Sequence, residues 1–322
     1  VQLPPLLGTS HFEYDFRLDL QDPAARQALL LMAPRAIGLG ASQITFIVNT
    51  TLASVVGAGA IVAYNVAFTV TQIPLGVIGV PLGVVLLPAM SRALATGALR
   101  EYGALVVRSL RLLLFVMLFS TAIGMVLRRQ GVTLLFGYER FDQRAIELTA
   151  NTLLFFLIGL AAHSMIVVLA RAFYAGQDTR TPVVAAIVSV GVNVVVSVTT
   201  VGTLGLSGLA LGIAIGAWVE AGILVALLWQ RTPGIALESL GRALAEFALG
   251  AFLAALGAVV AVRATEGLVG QDPGKLAILV QSAVAFSVAA VIYLAYSWLL
   301  RIPELPTLIN LLRQALRRGG GT

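Results

Sequence analysis

The stretch QIPLGVIGVPLGVVLLP, Gln72 to Pro88, decides how the chain is read. It is apolar and uncharged, as a membrane-spanning helix should be, yet it holds three prolines and three glycines. Pro74, Pro81 and Pro88 recur every seven residues, which at 3.6 residues per turn sets them nearly on one stripe. Each interior proline removes a backbone hydrogen bond and crowds the carbonyl one turn back, so the helix bends. Lipid offers the freed carbonyls nothing, so protein or water must satisfy them. The segment therefore belongs beside other helices or a wet cavity. Two readings follow: a fixed kink that suits local packing, or a hinge that flexes as a cavity opens to alternate sides of the membrane.

The rest of the chain agrees with a membrane setting. Of its 322 residues 59% are hydrophobic and only 11% charged, with a mean hydropathy of +0.96. A soluble domain carries about 25% charged residues, so lipid must cover much of this surface. There is no cysteine and there are two histidines, which excludes disulfides, thiol chemistry and a multi-histidine metal centre. The net charge of +6 is spread as single basic residues between apolar runs and marks topology, not nucleic-acid binding.

Eight apolar spans are expected, near 34–57, 61–88, 104–127, 148–173, 182–201, 205–229, 243–263 and 277–300, each long enough for roughly 30 Å of hydrocarbon. One alternate set of loops collects fifteen of the 21 Lys and Arg residues. The other holds Arg128, Arg129, Arg140, Arg144, Arg263 and Lys275. The first set is expected in the cytoplasm, with both chain ends. The outer loop 128–147 reads as an interfacial segment held by Tyr138, Phe141 and snorkelling arginines, with binding of anionic headgroups as the alternative. No signal peptide precedes the first span, and the start at Val1 suggests a fragment.

Polar residues inside the spans are the candidates for function. Gln43, Asn49, Thr50 and Thr51 lie on the first span; Asn65, Thr69, Thr71 and Gln72 precede the proline stretch; His163 is mid-span. Asn193 and Ser197 share a face of the fifth span. Singly, each reads first as a helix-to-helix hydrogen bond. Together they suggest a hydrated cavity. Gly208, Gly212, Gly216 and Glu220 recur four apart: the glycines read as a close-packing stripe, and Glu220 as an ion- or proton-linked carboxylate, since a charge within a span is costly. Glu246 is balanced by Arg242 at i, i+4. No P-loop, HExxH, GxSxG or paired-carboxylate site is present, so no enzyme is expected.

Three stretches resemble the MurJ/MviN family of lipid II flippases, part of a superfamily that includes the MATE-type drug exporters. They are ASQITFIVNTTLASVVGAGAIVAYNVAFTVTQIPLGVIGVPLGVVLLPAMSR (41–92), RAFYAGQDTRTPV (171–183) and GLSGLALGIAIGAWVEAGIL (205–224). The resemblance implies an all-α polytopic membrane protein of about eight transmembrane helices, helices seven to fourteen of a fourteen-helix fold. Residues 1–28 would be the tail of a preceding helix and an inter-lobe linker. Residues 29–231 would form a six-helix MATE-like lobe, and 232–322 two further helices and a basic tail, with the N-terminal lobe absent.

The resemblance further implies a flippase moving undecaprenyl-linked peptidoglycan precursor, lipid II, across the bacterial cytoplasmic membrane by alternating access between the two lobes, in the service of cell-wall synthesis. The last two helices would help to form a groove for the lipid tail. Its partners would be the isoprenoid-linked precursor, membrane lipids and the missing lobe, with no nucleic acid. Gln43, Asn49, Asn65, Thr69 and Gln72 are expected to line the substrate cavity, and Pro74, Pro81 and Pro88 to form the hinge. Phe68 and Thr69 stand where the family often has Asp and Arg, which removes a phosphate contact. Asn49, Asn193 and Ser197 fall on the family's sodium-site positions, but without its carboxylates, so Glu220 joins them as a coupling candidate. No catalytic residue, bound metal or cofactor is implied beyond sodium or proton coupling. The alternatives are a flippase or exporter for another isoprenoid-linked glycan, and a degenerate, non-transporting scaffold lobe.

Overall fold

The computed structural model describes residue 40 and residues 43–137, 142–232, 238–269 and 274–319. The described residues are helices and short turns, with no strand among them. In chain order they are α1 (Gln43–Val56), α2 (Ala60–Pro74), α3 (Val80–Ala95), α4 (Leu99–Val126), α5 (Arg128–Phe136) and α6 (Gln143–Ile158). Then follow α7 (Leu160–Ala175), α8 (Arg180–Leu204), α9 (Leu206–Arg231), α10 (Glu238–Val269), α11 (Lys275–Leu299) and α12 (Glu304–Gly319).

Among the described residues six helical stretches are long and apolar enough to cross a membrane, and α6 and α7, bent by 45° where they meet, are together long and apolar enough for a seventh. Of the first expected span, 34–57, the structure describes α1, fourteen residues long; residues 34–39, 41 and 42 lie outside the described residues, as do 1–28, Tyr138 and Phe141. The fourth expected span, 148–173, is corrected from one helix to two, meeting at Gly159.

The proline stretch runs as one helical span, Ala60–Ala95. Between α2 and α3 the backbone widens into a π-turn, Leu75–Gly79, where the Val80 N–H reaches the Leu75 carbonyl five residues back. A π-turn shifts the hydrogen-bond register by one residue, and so absorbs the donors that Pro74 and Pro81 lack. Pro81 and Pro88 point away from the lobe interior.

The break at Gly159 is held from outside its own helix. The Ile158 carbonyl accepts from Trp218 Nε1 of α9 at 2.9 Å, and the Leu157 carbonyl from Thr121 of α4 at 3.3 Å. A methyl group at Gly159 would lie 2.8 Å from the Ala214 Cα, so only glycine permits this approach.

Packing relies on small residues. The α8–α9 pair has the most extensive contact, along the stripe Gly208, Gly212 and Gly216. A methyl at Gly212 would lie 2.5 Å from Ser197 Oγ and 2.9 Å from the Asn193 carbonyl oxygen. The stripe is the small-xxx-small seam that its spacing predicts. The last two long helices, α10 and α11, join the lobe through α4: Phe115 packs against Phe247 and Tyr293, and the Tyr293 hydroxyl donates to the Phe115 carbonyl at 2.7 Å. Gln281, inside the α11 span, donates to the Val262 carbonyl of α10.

Candidate functional site

Three features of the lobe offer functional surface. The first is the face of α2 that carries Asn65, Thr69 and Gln72 at i, i+4 and i+7. Thr69 and Gln72 are exposed and Asn65 half-buried, while the opposite face, Ala60, Ala63, Tyr64, Ala67 and Thr71, packs inward. The face continues along α3 through the exposed Pro81 and Pro88, and Gln43 on α1 is exposed too. The α2 part of this surface is polar but uncharged, and the α3 part is apolar, with Val84 and Val85 exposed among the prolines. The Thr69 hydroxyl donates to the Asn65 carbonyl at 2.8 Å, so its one proton is spent on its own helix. Phe68 turns inward and meets Phe156 edge-on at 5.6 Å.

The second feature is a half-open cavity of about 290 Å³ between α1, α2, α7, α8 and α9. Tyr64, His163, Ser189, Asn193 and Glu220 line it among apolar neighbours, including Phe46 and Phe68. Ser197 donates to Asn193 Oδ1 at 3.1 Å. Asn193 Nδ2 has no hydrogen-bond partner among the described residues, and the carboxamide of Asn49, which is 0% exposed one turn along α1 from the cavity wall, makes no hydrogen bond of normal geometry, its nearest polar neighbour being the Tyr64 hydroxyl. Buried amides are rarely left so. Glu220 makes no ion pair among the described residues. Asn49, Asn193, Ser197 and Glu220 thus gather at or beside one cavity, and Asn49 parts from the exposed group to which the sequence assigned it. Tyr64 and Ser189 add polar groups that the sequence reading passed over. Ser189 was legible, one turn before Asn193 on the same face; Tyr64 was hidden beside Asn65, on the opposite side of α2.

The third is a groove of about 730 Å³ between α4, α6 and α10. Its walls are apolar, including Leu118, Ala122, Leu154, Ala251 and Ala255, and Arg128, Arg263 and Glu266 stand at one end. Both arginines belong to the loop set read as outer.

The motif RAFYAGQDTRTPV forms the α7–α8 turn, and its chemistry is structural. Asp178 accepts from the backbone N–H groups of Arg180 and Thr181 and from the Thr181 hydroxyl. It also pairs with Arg231 at the end of α9, whose guanidinium lies over the Phe173 ring. Partial burial pushes the Asp178 carboxyl up, but the Thr181 and Arg231 contacts outweigh it and hold the pKa below the usual carboxylate range. The clasp fixes the turn between α7 and α8 against α9.

No group of three or more His, Asp or Glu residues suited to a metal ion occurs among the described residues.

Comparison with known proteins supplies the context. The family model described as lipid II flippase MurJ matches residues 1–273. A probable lipid II flippase MurJ of Rhizobium meliloti (strain 1021) is 36% identical over 216 residues, 67% of this chain and 40% of that protein. The lipid II flippase MurJ of Burkholderia cenocepacia is 32% identical over 239 residues, 73% of this chain and 44% of that protein. The chain thus spans well under half the length of these curated relatives. Among solved structures, a lipid II flippase MurJ in an inward closed conformation aligns over 89% of this chain and 57% of its own, with a TM-score of 0.68 at 18% identity. An outward-facing multidrug resistance MATE transporter aligns over 86% of this chain and 66% of its own, with a TM-score of 0.56 at 17% identity. At these identities, the structural likenesses speak for the fold.

Proposed function

Because the chain belongs to the MurJ family of lipid II flippases, we propose that it forms one lobe and the tail-binding helices of a flippase for a polyprenyl-linked peptidoglycan precursor. It is a multi-pass protein of the cytoplasmic membrane. Transport proceeds by alternating access: this lobe rocks against a second one, and the exposed face of α2 and α3 lines the path between them. The proposed activity is translocation, with no chemistry performed on the cargo.

The observation that carries this reading is the groove between α4, α6 and α10. A polyprenyl tail is long, apolar and branched by methyl groups, and a channel walled by Ala and Leu side chains accepts it by burial alone. Arg128 and Arg263 at one end suit a phosphate at the tail's head. Coupling to an ion gradient is assigned to the half-open cavity, where Glu220 supplies charge and the carboxamide oxygens of Asn49 and Asn193 are the neutral acceptors open to a hydrated proton or a small monovalent cation. Pro74, Pro81 and Pro88, flanking and following the π-turn, form the hinge by which α2 and α3 change their mutual angle.

The test is Ala255→Trp, which fills the groove. In vesicles holding the full protein it lowers flipping of a fluorescent lipid II analogue at least roughly ten-fold, while Leu279→Trp on exposed α11 surface leaves it unchanged. Undiminished flipping by Ala255→Trp refutes the tail assignment. A second reading, a different isoprenoid-linked glycan as cargo, is favoured by the uncharged α2 face of Asn65, Thr69 and Gln72. Competition between lipid II and other polyprenyl-pyrophosphate glycans in the same vesicles decides between the two.

A further inference from the structure

A separate groove of about 550 Å³ lies between the first half of α4 and the start of α12. Arg100, Arg108 and Arg111 line it from α4, and Pro303, Glu304 and Thr307 from α12. Arg111 is committed: it binds both carboxylate oxygens of Glu304 and lies over the Phe247 ring. Glu304, the one acidic residue among the described residues that line the groove, is thereby neutralised. Arg100 and Arg108 are exposed and make no ion pair among the described residues. They are eight residues apart on α4, and both project into the same groove, so it keeps two uncompensated positive charges.

Depth identifies what meets them. With 28 residues, α4 is about 42 Å long, some 12 Å more than the hydrocarbon thickness. Its far end is marked by Arg128 and Arg129, immediately beyond Val126. Counting roughly twenty residues back from Val126 puts the near hydrocarbon boundary at about Arg108. Arg108 is then at the level of the glycerol and phosphate groups, and Arg100 beyond it in the headgroup layer. The sequence of α12 brings three more basic residues, Arg313, Arg317 and Arg318, to the same end of the bundle.

We propose that the α4–α12 groove is a binding site for the headgroup of an anionic glycerophospholipid of the membrane leaflet at this end, with Arg108 meeting the phosphate, Arg100 reaching down to it from the headgroup layer, and α12 roofing the site. Guanidinium groups fit phosphate oxygens in a two-pronged geometry. The site is distinct from the tail groove at the Arg128 end of α4 and does not rest on the cargo assignment.

The experiment places the full chain in phosphatidylcholine nanodiscs doped with phosphatidylglycerol and counts the lipid retained after detergent extraction by mass spectrometry of the intact complex. At about a factor of five per basic residue near an anionic surface, phosphatidylglycerol is retained roughly thirty-fold over its share in the bilayer. Arg100→Gln with Arg108→Gln abolishes that preference, while Arg144→Gln, at the opposite end of the bundle, keeps it. Both altered arginines are exposed, so the double variant folds, and an unchanged thermal midpoint verifies this. Equal retention of both lipids by the native chain overturns the proposal, as does a double variant that keeps the preference. Displacement by inorganic phosphate, or by undecaprenyl pyrophosphate at equal concentration, also overturns it, because the site then belongs to a free anion or to the transport path.

Discussion

Substituting Gly212→Ala tests the seam on which the lobe is assembled. The added methyl would stand 2.5 Å from Ser197 Oγ, 2.8 Å from Asn193 Oδ1 and 2.9 Å from the Asn193 carbonyl oxygen. The hydroxyl can swing away, at the expense of its hydrogen bond to Asn193. The carbonyl is part of the α8 backbone and cannot, so α8 and α9 must part by roughly half an ångström to restore ordinary contact. Overpacking of this kind costs about 2 kcal/mol, which for a chain of this length lowers the melting temperature on the order of 3 °C. Gly222→Ala is the matched control: it lies on the same helix, α9, with nothing within 4 Å of the added methyl, and it leaves the midpoint unchanged or raises it slightly. Thermal unfolding in nanodiscs measures both. Because the chain has no cysteine, a cysteine pair placed across the seam reports the separation without background. A Gly212→Ala protein with the native midpoint and native crosslinking rate refutes the claim that backbone contact sets the α8–α9 spacing.

Two other predictions concern charge. Asp178→Asn weakens the clasp between the α7–α8 turn and α9 and lowers the midpoint at neutral pH by an amount consistent with about 1 kcal/mol. The native Asp178 pKa is depressed, so its stabilisation is fully present above the unfolded carboxylate value of about 3.9 and is lost as pH falls through the native value. The difference between native and variant midpoints therefore vanishes in strong acid, and a difference that persists there refutes the ionic origin. Glu220→Gln removes the one carboxylate that, among the described residues, lines the half-open cavity. Flipping driven by an imposed proton or sodium gradient drops at least roughly ten-fold, with cargo binding in the absence of a gradient unchanged; equal loss of both assigns Glu220 to the cargo path instead.

Much of this fold is legible from residue spacing. The glycine stripe at 208, 212 and 216 announces a close helix pair, because the four-residue period leaves few other uses for three glycines in lipid. The broken span was not legible. The stretch around Gly159 carries no proline, and its bend depends on Trp218 and Thr121, which lie 60 and 36 residues away in sequence. The proline stretch misleads in the opposite direction: its pattern suggests a sharp kink, and the π-turn spreads the defect over five residues. For the candidate site, polarity within a span singled out Asn193 and Glu220 as coupling candidates, and the two line one cavity. It could not separate Asn49 from Gln72, since both are amides in apolar helices. Only the packing of α1 and α2 places one inside the lobe and the other on its surface.

The bend at Gly159 also constrains how the protein is made. Each half, sixteen residues or about 24 Å long, is too short to cross the bilayer, so the translocation machinery must accept α6 and α7 as a single rod. At that moment α9 has not been synthesised, and Trp218 cannot yet cover the Ile158 carbonyl. An uncovered carbonyl in hydrocarbon costs several kcal/mol, which favours a straight segment until α9 arrives. The bend is therefore complete only once a later helix is in place, with the indole of α9 acting as its latch.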